Sequence, residues 1–312
     1  MHPAFSVIFF TVSSGTGYGL LFLLGCLGGM GKLPDDPIFG FIALAIGLGL
    51  VAAGLLSSLF HLGHPERAWR AFSQWKTSWL SREGVASTLS FLPGLAMMYL
   101  WVFETPEHAQ FALASWLTAV FAVVTVYSTA MIYRSLPPIH QWANGWTAPA
   151  YLTMALAGGG VVLVALYAVF GLPLSIAPLC AAGALIVAWG VKTGYWYFVD
   201  HSKSASTAET ATGLGGIGKV SQFEAPHTEE NYLLKEMGFR VGQKHAIKLR
   251  RYAKFFGFLV PIVLMVLAFQ DIALSASVLS LLAVVAFAVG AIAERWLFFA
   301  QARHTVTLYY GR

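Results

Sequence analysis

The sequence predicts an all-α, polytopic membrane bundle of about eight transmembrane helices, with its 312 residues forming a single integral membrane domain. Three observations predict it. Hydrophobic residues make up 57% of the chain and charged residues only 11%, where a soluble domain carries about 25% charged residues. Mean hydropathy is +0.68. The apolar residues fall in continuous runs rather than in alternation, which argues for helices and against a barrel, because only helices and closed barrels satisfy their own backbone polar groups in lipid.

A span needs about 20 mostly apolar residues. The first such run is Ala4–Met30. It begins almost at the N-terminus with only His2 before it and no Lys or Arg flank, so it reads as a span rather than a cleaved signal peptide. The next runs are Pro37–Phe60, Gly84–Phe103 and Gln110–Tyr133. Pro149–Phe170, Leu174–Phe198, Tyr252–Gln270 and Leu274–Phe299 complete the set.

The connections between these runs are unequal in charge. The second carries Arg67, Arg70, Lys76 and Arg82, the fourth opens with Arg134, and the sixth, residues 200–251, holds Lys203, Lys219, Lys235, Arg240, Lys244, Lys248, Arg250 and Arg251. The tail adds Arg303 and Arg312. The odd connections hold only Lys32 against Asp35 and Asp36, then Glu104 and Glu107, then no charge, then Asp271. The positive-inside rule places both termini and the even connections in the cytoplasm, so the expected membrane is the cytoplasmic (inner) one. The net charge of +5 is thereby explained by topology, and nucleic acid is not an expected partner.

Residues 200–251 form the single long polar stretch, and loops of that length usually have a task or are disordered. Its first half, SKSASTAETATGLGGIG, is small and polar; its second, EENYLLKEMGFRVGQKHAIKLRRYAK, mixes aliphatic, aromatic and basic residues. We read the second half as a docking segment for a partner subunit, through Lys235, Arg240, Lys244, Lys248, Arg250 and Arg251. A solvated linker that merely enforces topology is the plainer alternative. Gly213, Gly215 and Gly218 match GxGxxG, but no strand precedes them, so a dinucleotide site is not expected.

Chemistry concentrates at the cytoplasmic helix ends. His61 closes the second run and Glu83 opens the third; a titratable pair at the apolar boundary is costly unless satisfied or useful. Arg67 and Arg70 lie between them, among Trp69, Trp75 and Trp79, which suit interfacial anchors. Tyr133 and Arg134 end the fourth run, and Glu294 and Arg295 approach the end of the eighth. Such a cluster suits a lipid-soluble molecule with a proton-exchanging head group, and quinone, whether ubiquinone or menaquinone, fits: its carbonyls need donors and its reduction needs protons. A structural salt-bridge cluster is the alternative.

Cys26 and Cys180 stand alone in apolar runs, and the nine histidines lie at run ends or in connections. No metal site is therefore expected in this protein, and no haem, which facing helices usually hold by histidine. A secondary transporter is the rival class, on eight spans and the glycines at 15, 17, 19 and 158–160; against it stand the lack of an internal repeat and the grouping of charges at one face.

His61-Leu62-Gly63 with Pro65 and Arg67-Ala68, then Leu80-Ser81 and Glu83, then Trp146-Thr147 with Pro149, and Glu294 in the last run together resemble the membrane anchor subunits of the dimethyl sulfoxide reductase type. The likeness covers most of the sequence. It implies an eight-span subunit that exchanges electrons between quinone and a molybdenum enzyme, with His61 and Glu83 at the quinone site. The start MHPAFSVIFFTVSSGTGYG and the long connection look most like the branch anchoring a cytoplasmic sulfite-oxidising enzyme. That branch implies a molybdopterin subunit and an iron–sulfur subunit as partners, which hold the metal centres, and a direction of flow towards quinone. An anchor for a reductase that oxidises quinol is the related alternative. In either case the protein has no complete active site for sulfite.

Overall fold

In a computed structural model the described residues are 3–60, 62–104, 109–224, 229, 231–237, 245–270 and 275–310. Six long helices come first: α1 (Phe5–Gly29), α2 (Pro37–Leu59), α3 (Trp79–Phe103), α4 (Ala109–Arg134), α5 (Thr147–Val169) and α6 (Ala177–His201). Two short helices follow, α7 (Ala208–Thr212) and α8 (Tyr232–Met237). Then come α9 (Ala246–Phe269) and α10 (Ala276–Ala300). Eight of these, all but α7 and α8, are long and apolar enough to span a bilayer. Among the described residues there is no strand, only one isolated bridge between Ile139 and His304.

Local signals set the helix ends. Pro37 occupies the first turn of α2, where its missing N–H costs nothing, and the Asp36 carboxylate accepts from the Ile38 and Phe39 N–H groups at 2.9 and 3.1 Å. α3 starts five residues before the apolar run because Ser78 caps it at Ser81 N–H. Glu83 therefore sits in the second turn, not at the helix start. α9 also starts earlier than its apolar run, at Ala246, so Lys248, Arg250 and Arg251 belong to a helix rather than to the loop. Its axis is interrupted by a π turn at Phe255–Leu259. Pro261 follows at once and cannot accommodate an ordinary turn, since its ring would meet the carbonyl four residues back.

α1 is the hub. It packs on α2, α4, α5 and α10, while α3 lies on α2 and α4, and α9 joins α6 and α10. Because lipid is as apolar as leucine, close packing and internal polar contacts hold such a bundle, rather than water exclusion. Small residues permit that packing: a Cβ on Gly19 would lie 1.8 Å from the Ala155 carbonyl oxygen, so α1 and α5 meet backbone to backbone. Hydroxyls tie neighbours together, Ser13 to the Leu50 carbonyl at 2.7 Å and Ser277 to that of Ala168 at 2.8 Å. Thr118, Thr125 and Ser128 face inward, while Leu92, Val120, Ile186 and Val285 face outward.

Candidate functional site

Eight crossings bring both termini and the basic connections to one end of the bundle. Near that end the interior is polar. On α3, Glu83 is buried, and the Thr129 hydroxyl of α4 donates to its carboxylate. The same hydroxyl lies 3.0 Å from the Thr125 carbonyl. One hydroxyl hydrogen thus faces two acceptors, and a carboxyl bringing its own proton satisfies all of them.

On α10, Glu294 and Arg295 are 1% and 3% exposed. The Arg295 Nε donates to Glu294, whose other oxygen pairs with Nζ of Lys192 on α6, itself fully buried. The guanidinium lies over the Tyr151 ring at 4.2 Å, and the ammonium over that of Tyr195 at 3.8 Å. Two cations and one anion thus share a site almost without solvent exposure. Nη1 and Nη2 of Arg295 and the Tyr151 hydroxyl face each other, and apart from that contact and Tyr133 beside Tyr151 they have no hydrogen-bond partner of acceptable geometry among the described residues. Tyr133 stacks on Tyr151 at 5.7 Å, between Trp142, Phe298 and Phe299.

Thr129, Tyr151 and Arg295 line one small cavity of about 30 Å³ at the centre of α1, α4, α5 and α10, with Tyr18 on its far wall. The Tyr18 hydroxyl donates to Ser90, 3.2 Å away, since Ser90 spends its own hydrogen on the Ser87 carbonyl at 2.7 Å. Glu83, Tyr133, Glu294 and Arg295, which the sequence nominated, therefore do converge. Arg67, Arg70 and Arg134 do not join them. Arg67 lies 3.7 Å from Glu66 on an exposed 3₁₀ turn, Arg70 leans on Trp69 at 5.7 Å, and Arg134 is exposed. They sit where headgroups and solvent keep long cations cheaply hydrated. His61 lies outside the described residues.

Lys192, Thr129, Tyr18 and Tyr151 were missed from the sequence. A lone lysine within an apolar run was the available signal, because an intramembrane charge needs a partner or a task; the hydroxyls carry no such mark. Of the docking residues, Arg250 is committed within the protein, to Asp200 at 2.6 and 2.9 Å and to Gln301 at 3.3 Å. Lys235, Lys248 and Arg251 are exposed, while Arg240 and Lys244 lie outside the described residues. Gly213 ends α7 with a φ of 73°, so the GxGxxG stretch is here a helix stop. Among the described residues no three His, Cys, Asp or Glu side chains form a metal-binding group.

Eight spans around a buried polar centre define a multi-pass membrane protein. It matches the family described as DMSO reductase anchor subunit (DmsC) over residues 1–311, and it belongs to that family. It is 31% identical to a subunit of the sulfite dehydrogenase of Allochromatium vinosum, an alignment spanning 99% of both proteins. It is also 28% identical to one of the polypeptides of the anaerobic dimethyl sulfoxide reductase of Escherichia coli, over 56% of this sequence and 63% of that one. The protein is thus a membrane anchor in an oxidoreductase complex, a reading that does not favour the transporter.

Proposed function

We propose that this protein is the quinone-reactive anchor of a sulfite:quinone oxidoreductase. One observation carries the proposal: a buried carboxyl and a buried, incompletely paired guanidinium, Glu83 through Thr129 and Arg295 directly, meet at one cavity in the membrane interior. The likeness along its whole length to a sulfite dehydrogenase subunit supports the substrate of the complex.

Sulfite and water would yield sulfate, two protons and two electrons at a molybdopterin subunit. An iron–sulfur subunit would carry the electrons to the membrane, and quinone would take up both electrons and two protons to become quinol. The anchor's part is to bind and protonate. Arg295 and Tyr151 supply donors to a carbonyl oxygen as negative charge develops there, in a low dielectric where such donors count most. Glu83, loaded with a proton and held by Thr129, is the proton source, and His61, which follows α2 in the sequence, is the candidate relay to the surface. The basic even connections support partners on the cytoplasmic face of the inner membrane, with both termini and the long connection on that side; Lys235, Lys248 and Arg251 are the exposed docking candidates. Run in reverse, the same groups would serve a reductase that oxidises quinol, as the likeness to the Escherichia coli protein suggests.

The test is Glu83→Gln in the intact complex, reading sulfite oxidation with quinone relative to an artificial dye acceptor in the same preparation. Loss of an acid–base group predicts a fall in that ratio on the order of 10²-fold. An unchanged ratio overturns the proposal.

A further inference from the structure

A second recess lies on the lipid side of the cavity. It is an apolar crevice of about 160 Å³ between α1, α4 and α5, lined by Phe22, Ala122, Val123, Leu152 and Leu156 among others. Its floor is the close crossing of Gly19 and Ala155, where no side chain intervenes. Tyr18, Val126 and Ala155 line both crevice and cavity, so the two adjoin. From the outside inward the lining changes from aliphatic to phenol, hydroxyl and guanidinium.

This gradient suits one class of occupant that fills both parts at once. An acyl chain would fill the crevice but leave the Arg295 terminal nitrogens and the Tyr151 hydroxyl beside an apolar end, the costly arrangement for buried donors. Water alone would satisfy the cavity, which has room for one molecule or so, and would leave the crevice to lipid. A molecule with an apolar tail and a carbonyl at its inner end suits both. On the quinone-reactive reading above, we infer that the crevice between α1, α4 and α5 is the port and ring subsite of an isoprenoid quinone. The ring lies against Tyr18 and Val126, and the inner carbonyl faces the cavity, where Arg295 and Tyr151 reach it directly or through one water. The tail leaves between Phe22, Val123 and Leu156 into the bilayer.

The experiment uses the intact complex in lipid and an azido-quinone bearing an isoprenoid tail. Labelling should map to α1, α4 and α5 around the crevice, and unlabelled quinone should displace it. Val123 is 40% exposed to the lipid side, so Val123→Trp narrows the mouth with little demand on the core. That variant should lose the label and raise the KM for long-tailed quinone on the order of tenfold, with kcat held, as expected where only binding is removed. Val285→Trp, on the lipid face of α10, controls for the added bulk and should match wild type. Label on α2 and α3 instead, label displaced by phospholipid but not by quinone, or an unaltered KM in Val123→Trp overturns the port. Should Glu83→Gln abolish quinone turnover while Val123→Trp leaves it intact, only the port fails. Should Glu83→Gln leave turnover intact, the quinone-reactive reading itself fails.

Discussion

Glu294→Gln places the heaviest demand on this bundle, and the structure says why. Glu294 is the one anion between Lys192 and Arg295, and all three are sealed from solvent. The glutamine variant leaves two cations side by side in a medium that solvates neither. Removing one partner of a buried pair costs about 3–5 kcal/mol, because the charge left behind is uncompensated. Lys192→Met is milder on the same argument. It leaves Glu294 and Arg295 as a neutral pair and strands one carboxylate oxygen, a loss of about 1–3 kcal/mol.

The double variant retains only Arg295, so adding Lys192→Met to Glu294→Gln should recover part of the loss, with a coupling of opposite sign to the single effects. Thermal unfolding of the purified protein in detergent, followed by monodispersity, gives the ranking. At about 2–4 °C per kcal/mol for proteins of 150–250 residues, and less for longer ones, Glu294→Gln should lower the apparent Tm by roughly 4–8 °C. A Glu294→Gln protein within about 2 °C of wild type, a scale set by that same relation, would refute the reasoning. So would a Lys192→Met protein less stable than Glu294→Gln.

Gly19→Leu should prevent accumulation of the folded protein, since its Cβ would overlap the Ala155 carbonyl, whereas Gly15→Leu should accumulate normally because nothing lies within 4 Å of that position; immunoblotting of membranes separates the two. The C-terminal 3₁₀ turn at Thr305–Tyr310 should loosen on acidification. Partial burial holds the His304 imidazole below its usual range, and its Nδ1 accepts the Val306 N–H at 3.1 Å, which only the neutral ring can do. A histidine depressed in the folded state contributes stability that is full above the unfolded value of 6.5 and is lost as pH falls below it. Hydrogen exchange at Val306 should therefore accelerate below that pH beyond the intrinsic trend. Equal protection on both sides of it would dismiss the idea.

Length and apolarity alone were enough to read the eight spans, because in lipid a helix of about 20 apolar residues is nearly the only solution open to the backbone. Ends were less legible where polar residues continue a helix beyond the hydrocarbon, as Ser78 does for α3 and Ala246–Lys254 for α9. Glu83, Glu294 and Arg295 stood out because charges in apolar runs are expensive. Lys192 carried the same mark and was passed over, since its partner lies 102 positions away on α10.

The sequence by itself determined the class of fold, the asymmetry of charge and the family, all of which depend on composition and local order. Only the tertiary structure decided that Arg67, Arg70 and Arg134 stay at the surface. It also decided that Lys192, Tyr151, Tyr18 and Thr129 enter the interior beside Glu83 and Arg295. The physical reason is that helix rotation is set by packing between helices, as at Gly19 against Ala155. No single helix contains the information about which of its polar residues will meet those of another.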